Sequence, residues 1–365
     1  MRSRHLWHSL GRIARVLTLA AAVGAAHAAP AASARAAPPL TGHPEPPPVE
    51  LAAPGPSALL PAVQQQYQTM NNCGPATAAM ALGFFGYQVS QEAARQALRP
   101  GGYDDKNVLP EEIAAYLGGF GLEARVRVAG DVDRLRALLA NGIPVVVHQL
   151  LASEAGKHDI GHYAVVRGYD DAAGVVISQD PYYSPGRRLP YAEFDRLWRP
   201  FNRRYLPVFR PHDAPLVRAI LGDDWDETAN WARAQHVAEN EINRSPQDAY
   251  AWFNLGDSHL GQDDALTATY AYERALALGL PPRHLWYQIG PLTAHNRAGH
   301  HRRALELAQR ALATEGTLAE VHFERGLALL GLGQQAAALE AFRLAARYGP
   351  ALAPAHEMLA HLAAR

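Results

Sequence analysis

The pattern of apolar and polar positions changes along the chain, from mixed helices and strands to helices alone. From about residue 59 to residue 142, apolar positions recur at helical spacing, as in "LPEEIAAYLGGFG", where Ile113, Tyr116 and Leu117 share one face. Four runs rich in β-branched and aromatic residues follow, at residues 143–150, 162–170, 174–180 and 204–210. Helices followed by strands predict an α+β domain with an antiparallel sheet.

The last third of the chain is helical throughout, and its pattern repeats. Trp252 recurs 34 residues later as Trp286, and Gly256 recurs 70 residues later as Gly326. Seventy residues are two periods of 34 plus two residues, so the second copy carries a small insertion. This pattern resembles the tetratricopeptide repeat, which implies an all-α solenoid of paired helices. A leading helix at residues 226–246 and a C-terminal capping helix complete the predicted solenoid.

The first 28 residues predict export. Four arginines precede a short apolar run, Val16 to Ala26, which ends in the small-x-small pattern Ala26-His27-Ala28. That run is too short to cross a bilayer comfortably, so we predict a secretory signal peptide over residues 1–28 in preference to an uncleaved N-terminal membrane anchor. We therefore expect an exported protein, periplasmic or extracellular, with no integral membrane span in the mature chain.

The boundaries of the predicted domains follow from shifts in composition. Residues 29–58 are rich in Ala and Pro and have neither helical nor strand period, which predicts an extended linker. The α+β domain is expected over residues 59–212, and the repeats with their capping helix over residues 213–365.

The net charge limits the possible partners of the protein, and the cysteine count limits the possible roles of its thiol. The formal net charge is −1, so we expect neither nucleic acid nor an anionic membrane surface as a partner. Cys73 is the only cysteine in 365 residues, and one thiol cannot form an internal disulfide. In an exported protein such a thiol is an intermolecular bridge, an inert buried residue or a reactive group.

The surroundings of Cys73 favour the reactive thiol. It opens the helical pattern "CGPATAAMAL", where unpaired backbone N–H groups and the helix dipole favour a thiolate. His162, at the head of a β-run, is the candidate base, and Asp180, at the end of the next run, is the candidate that orients it. Each lies about eight residues from the turn near Asp171 and Ala172, so antiparallel pairing would bring them roughly opposite one another. A β-bulge would shift that register.

An oxyanion formed beside the thiol would need hydrogen-bond donors. The backbone N–H of Cys73 is one, and a side-chain amide upstream is the other, with Gln68 favoured and Gln66 left open. His158 and His162 have the H-x3-H spacing of a helical metal pair, but Gly161 and the β-run after it argue against a helix there. We predict no metal and no cofactor.

The motifs together resemble a known family of peptidases. "QTMNNCGPATAAMAL", then "GIPVVV", "GHYAVVRGYD" and "QDPY" are similar to the papain-like double-glycine (bacteriocin-leader-processing) cysteine peptidases over about residues 59–212. The resemblance implies Cys73 as nucleophile, His162 as base, Asp180 as its orienting partner and Gln68 in the oxyanion hole. One departure is that the family's usual glutamine stands six places before the cysteine, where this chain has Tyr67. Another is that no transporter segment is attached, so secretion-coupled leader cleavage is not expected.

These observations predict an exported cysteine peptidase that cleaves peptide bonds through a thioester acyl-enzyme. The repeats would bind the peptide or protein substrate, or a partner protein. Because every peptidase motif precedes residue 212, we expect the repeats to act as a tether that raises the local substrate concentration. Two alternatives stay open: a non-catalytic protein-binding scaffold, and a papain-like acyl transferase that passes the acyl group to an amine.

Overall fold

The computed structural model describes residues 49–100, 107–151, 160–281 and 283–363. The predicted signal peptide and the first part of the predicted linker, residues 29–48, lie outside these residues. Among the described residues, no helix combines the length and the apolar character that crossing a membrane requires.

The N-terminal half combines helices with an antiparallel sheet. Its strands are β1 (Ser57–Leu59), β2 (Glu123–Ala124), β3 (Val145–Leu150), β4 (Gly161–Asp170), β5 (Val175–Gln179), β6 (Pro185–Pro190) and β7 (Tyr205–Phe209). Its helices are α1 (Cys73–Gly83), α2 (Gln91–Leu98), α3 (Pro110–Gly118), α4 (Val132–Ala140) and α5 (Tyr191–Trp198). The described strands run in the order β2-β7-β3-β4-β5-β6, with β1 also paired to β4, and each pairing is antiparallel. The predicted α+β fold is confirmed.

The sheet is buried on both faces, which explains why its central strands are continuously apolar. Val146 and Val165 pack with α1 and α3, whereas Val145 and Val166 pack with α4 and α5. Helix α1 consists mainly of small residues that lie close against β4, where Thr77 Oγ1 donates to the backbone C=O of Tyr163 at 3.0 Å. The helix that begins with Cys73 is therefore fixed directly against the strand that contains His162.

The end of the predicted linker is part of the sheet. Strand β1 begins at Ser57, inside the 29–58 segment, and pairs with residues 168–170 of β4. The reason is that β4 extends beyond its pairing with β3, which ends at Val166, and the remaining backbone groups need partners. Tyr169 Oη also donates to the C=O of Gly55 at 2.9 Å. The linker boundary predicted at residue 58 is therefore too late.

The C-terminal half consists of helices. They are α6 (Ala214–Leu221), α7 (Glu227–Arg244), α8 (Ala249–Gly261), α9 (Ala265–Leu278), α10 (His284–Tyr287), α11 (Gly290–Arg297), α12 (His301–Thr314), α13 (Ala319–Gly331), α14 (Gln335–Tyr348) and α15 (Ala353–Ala363). The same close approach recurs in two helix pairs: a Cβ on Gly256 would lie 2.6 Å from the Tyr272 ring, and one on Gly326 would lie 2.5 Å from the Phe342 ring. The all-α repeat prediction is confirmed.

The second repeat differs from its neighbours because its first helix is broken. The helix divides into α10 and α11 at Gln288 and Ile289, whereas α8 and α13 run unbroken. Gln288 has extended backbone angles, and its side chain donates to the C=O of Pro200 at 2.8 Å. Pro291 lies in the first turn of α11, where a missing N–H is tolerated. The broken helix thus belongs to the same copy that the repeat spacing predicts to carry the insertion.

The repeats pack directly on the sheet-containing half. The Asn230 side chain accepts from the backbone N–H of Val128 and donates to its C=O, both at 3.0 Å. Phe201 lies against His284 and Tyr287, with ring centroids 6.2 Å apart in each case. The two halves therefore share a specific interface, which a flexible tether would not need.

Candidate active site

Cys73 is the first residue of α1, and neighbouring polar groups fix the start of that helix. Arg99, which is buried, donates to the backbone C=O of Asn71 and to Oδ1 of Asn72, both at 3.0 Å. Asn71 has a positive φ of 54°, which asparagine adopts more readily than most residues. The Asn pair before the thiol thus shapes the turn into the helix, a role that the sequence pattern did not reveal.

His162 lies between Cys73 and Asp180. Its Nε2 is 2.9 Å from Asp180 Oδ1, and both side chains are almost completely buried. The same imidazole is in hydrogen-bond contact with the thiol of Cys73. Because Nε2 is engaged by the carboxylate, Nδ1 is the nitrogen that remains for the sulfur. The structure thus brings together the three side chains that the sequence predicts.

Asp180 is surrounded by hydrogen-bond donors. Its Oδ1 accepts from the backbone N–H groups of Tyr182 and Tyr183 at 2.9 and 3.3 Å, in addition to His162. Its Oδ2 accepts from Nη1 of Arg187 at 2.8 Å, and the Arg187 guanidinium stacks 3.7 Å from the centre of the Tyr183 ring. The loop "YYSPGRR" therefore encloses the carboxylate, a role that sequence reasoning missed.

The register of β4 and β5 differs in one respect from the expected one. Gln179 pairs with Val165, and a bulge interrupts the ladder between Val166 and Gly168. Continued by one residue, that register places Asp180 opposite Ala164, two positions from His162 on the same face of the sheet. The contact between His162 and Asp180 is therefore diagonal and not directly cross-strand, and it is within reach because the side chains share one face.

The electrostatics of the three groups favour a thiolate–imidazolium pair. Burial alone would lower the pKa of His162, but the Asp180 carboxylate and the Cys73 thiolate raise it to about 9. Burial would raise the pKa of Asp180, but His162, the Tyr182 N–H and Arg187 lower it to about 2. Burial likewise raises the pKa of Cys73, yet His162 and the backbone N–H groups of Tyr163 and Gly74 bring it below its ordinary value.

The two upstream glutamines have different surroundings. Gln68 lines the same cavity as Cys73, and its amide oxygen is buried without a hydrogen-bond partner among the described residues. Gln66 is engaged elsewhere: its Nε2 donates to the C=O of Val89, and its Oε1 accepts from the N–H of Gln91, both at 2.6 Å. Of the two candidates, only Gln68 lies at the cavity, and its role there stays a prediction.

Two other histidines, His148 and His158, precede His162 in the chain. His148 is buried, stacked on Tyr163 with ring centroids 4.3 Å apart and close to Phe201 at 3.7 Å. Burial, together with the charges of Arg204 and His162, holds its pKa well below the ordinary value, so it is a neutral core histidine. His158 lies outside the described residues.

A cavity of about 250 Å³ lies over Cys73 and His162, and both halves of the molecule line it. The repeats contribute Arg283, Trp286, Tyr287 and Glu315. Every predicted catalytic residue precedes residue 212, but the cavity over them is also lined by residues of the repeats. A larger cavity, about 450 Å³, lies beside β2 and is lined by none of the three predicted site residues.

Comparison with known proteins finds one family model and several solved structures that resemble parts of this chain. Residues 60–206 match the family model described as "Peptidase_C39 like family", and no curated protein matches the chain. Among solved structures, the protein MamA is 16% identical, with 39% of this chain and 82% of that chain covered and a TM-score of 0.34. A double glycine motif protease from an AMS/PCAT transporter, in complex with its leader peptide, is 21% identical, with 42% and 94% covered and a TM-score of 0.33.

The repeats also have a counterpart among solved structures. YrrB, described as a TPR protein with an unusual peptide-binding site, is 21% identical, with 37% of this chain and 68% of that chain covered and a TM-score of 0.32. The resemblance inferred from the motifs is confirmed by the family match. Cys73, His162 and Asp180 all lie within residues 60–206, the part of the chain that matches this family model.

Proposed function

We propose that this protein is an exported cysteine peptidase that hydrolyses peptide bonds. The observation that supports the proposal most strongly is the alignment of three groups: a thiol at a helix N-terminus, an imidazole in contact with it, and a buried carboxylate 2.9 Å from the far side of that imidazole. A nucleophile, its base and the group that orients the base are what acyl transfer to sulfur requires.

In the proposed reaction, the thiolate of Cys73 attacks the carbonyl carbon of the peptide bond, and the carbonyl electrons move to oxygen. We expect the backbone N–H of Cys73 and the side-chain amide of Gln68, both of which belong to residues that line the cavity, to donate to that oxyanion. His162 then donates its Nδ1 proton to the leaving amine, and the C–N bond breaks to give a thioester and a free amino group.

Water completes the cycle. The now neutral imidazole of His162 removes a proton from water, and the resulting hydroxide attacks the thioester carbonyl. The second tetrahedral intermediate breaks its C–S bond, which releases a carboxylic acid and restores the thiolate beside the imidazolium. Asp180 keeps the imidazole oriented throughout and stabilises its positive charge.

Export and partner binding belong to the same proposal. The positively charged start, the short apolar run and the Ala-His-Ala sequence support cleavage near Ala29 and a periplasmic or extracellular location. N-terminal sequencing of the exported protein tests this point, because an intact Met1 in a membrane fraction would support the anchor instead. The repeats are proposed to bind the peptide or protein substrate, or a protein partner.

The peptidase proposal is tested with the full mature chain, a peptide library and mass spectrometry. We expect cleavage products from the native chain and none from Cys73→Ala, and we expect peptides to slow labelling of Cys73 by a thiol-reactive probe. Products joined to an added amine would indicate the transferase instead. A folded chain that binds peptides but forms neither product nor acyl-enzyme would establish the scaffold.

A further inference from the structure

The repeats reach the cysteine site through the broken helix of the second repeat. The side chain of Asn107, which lines the cavity, donates to the backbone C=O of Trp286. The Tyr287 ring lies against Gly161, the residue before His162, and a Cβ on Gly161 would lie only 2.8 Å from that ring. Helix α10 thus contacts both the strand that contains His162 and Asn107, a second residue of the cavity lining.

The position of α10 is fixed by its anchors. His284 is buried against Phe253, with ring centroids 4.4 Å apart, and its Nε2 is 3.0 Å from the side-chain nitrogen of Gln288. Gln288 in turn donates to the C=O of Pro200 in the N-terminal half. These contacts hold the helix at its two ends, and Trp286 and Tyr287 between them line the cavity.

The surface that Trp286 offers to the cavity is apolar. Its indole N–H is already engaged, since it donates to Thr314 Oγ1 at 2.8 Å. The Arg283 guanidinium lies 4.8 Å from the centre of the indole, which holds the ring by a cation–π contact. What remains for a ligand is hydrocarbon surface, continued in the same cavity by Leu151 and Ile160.

Charge does not dominate this wall. Arg283 and Glu315 both line the cavity and carry opposite charges, so the repeat side has no net charge at neutral pH. We therefore expect this wall to select substrate side chains by apolar contact area and not by charge. Subsites of this kind use a mainly hydrophobic lining with a few polar groups that fix orientation.

We propose that Trp286, held by Arg283, forms a specificity subsite of the cysteine site for a large apolar side chain of the substrate close to the bond that is cleaved. This inference rests on the proposed peptidase function. It makes the repeat module part of the active site, in contrast to a tether that only concentrates substrate.

The test compares kcat/KM of full-length variants on two series of peptides that are cleaved at the same bond. The bulky series has Leu or Phe at the positions next to that bond, and the Ala series has Ala there. Trp286→Ala is expected to lower kcat/KM on the bulky series by about tenfold or more, to leave the Ala series nearly unchanged, and thus to flatten the preference. Trp286→Phe, which keeps an apolar ring, should retain most of the preference.

Trp252→Ala is the matched control, because Trp252 occupies the equivalent position of the preceding repeat. Its indole N–H donates to Pro246 at 3.0 Å and Arg274 lies 5.6 Å from its ring centre, but it is not part of the cavity. Thermal unfolding of each variant shows whether it is folded. If Trp286→Ala prefers the bulky series over the Ala series as strongly as Trp252→Ala does, the proposal is overturned.

A binding experiment separates this inference from the peptidase proposal. In the Cys73→Ala chain, peptides of the bulky series should bind more tightly than those of the Ala series, and adding Trp286→Ala should remove that difference. If the native chain cleaves nothing but this difference is found, the peptidase proposal fails and the subsite stands. If neither cleavage nor the difference is found, both fail.

Discussion

The two halves of the molecule each bury a carboxylate, and they hold it in opposite ways. Asp180, in the N-terminal half, is held by an imidazole, a guanidinium and backbone N–H groups, and its pKa falls to about 2. Asp257, in the repeats, accepts from Tyr272 Oη at 2.6 Å, while its Oδ2 has no hydrogen-bond partner among the described residues. Burial raises its pKa to about 6.

The comparison of Asp180 with Asp257 shows how the surroundings of a buried carboxylate set its ionisation. A carboxylate kept ionised in a buried place requires several converging donors, and such an arrangement is typical of functional sites. A single tyrosine partner is enough where the carboxylate only bridges two helices. The predictions below test that contrast, from the largest expected effect to the smallest.

Replacing the two carboxylates should have very unequal effects on activity. Asp180→Asn is expected to lower kcat/KM by about 10³- to 10⁴-fold, because the imidazole loses the group that orients it and stabilises its charge. Asp257→Asn should leave kcat/KM within about twofold, since Asp257 does not line the cavity over Cys73. Steady-state kinetics on one peptide decides this, and equal losses in the two variants would contradict the contrast.

The two upstream glutamines allow a similar comparison between a residue at the cavity and one that bonds elsewhere, with smaller expected effects on activity. Gln68→Ala is expected to lower kcat by about 10²- to 10³-fold, as loss of one oxyanion donor does. Gln66→Ala removes the side-chain bonds to Val89 and Gln91, so it should lower stability by about 1 kcal/mol with much less effect on kcat. Kinetics together with thermal unfolding separates the two, and a larger kcat loss in Gln66→Ala would reverse the assignment.

Replacing each of two adjacent arginines tests whether the donors around Asp180 matter for activity. Arg187→Ala removes the donor to Asp180 Oδ2, so it should raise the pKa of that carboxyl, lower kcat/KM by about tenfold and move the acid limb of the pH profile to higher pH. Arg188→Ala, which removes a surface pair with Asp170, should do neither. The measurement is kcat/KM against pH, and an unmoved acid limb in Arg187→Ala would show that Arg187 is only structural.

The smallest expected effect is on stability. The contributions of Asp257 and Asp180 to stability should change with pH in opposite directions. The pKa of Asp257 is raised from 3.8 to about 6 in the folded protein, so its contribution to stability weakens as pH rises from about 4 to 6. The pKa of Asp180 is lowered from 3.8 to about 2, so its contribution is present above about pH 4 and is lost as pH falls towards 2.

Asp257→Asn should accordingly stabilise the protein above pH 6 and have little effect near pH 4. Thermal unfolding from pH 4 to 8, with the native chain as control, measures the difference. A variant less stable than the native chain at pH 7 would mean that the buried charge is compensated by partners beyond Tyr272.

The residues at the centre of the site could be predicted because their motifs are local. The helix start at Cys73, the β-runs that contain His162 and Asp180, and the repeat spacing can each be recognised within a few residues. The pairing of β4 with β5 needed only a turn between two adjacent strands. Its bulge between Val166 and Gly168 could not be located, because a turn alone does not determine where an extra residue enters a strand.

What could not be predicted depends on contacts between distant parts of the chain. Arg187 and Arg188 are equivalent in the sequence, and only the folded loop shows which one meets Asp180. The sequence favours Gln68 and leaves Gln66 open, and only the folded chain shows that the Gln66 side chain is bonded to Val89 and Gln91. The place of Trp286 in the cavity wall depends on a break in a helix and on an interface between the halves, which no periodicity describes.

The central claim, that Cys73 is held as a thiolate by His162 and Asp180, is tested most directly by the pH dependence of its alkylation. Because Cys73 is the only cysteine, iodoacetamide labelling of the native full chain reports on this thiol alone. We predict a half-point well below the free value of about 8.5, and a higher half-point in Asp180→Asn. A half-point near 8.5 or above in the native chain, or no labelling before denaturation, would contradict the account.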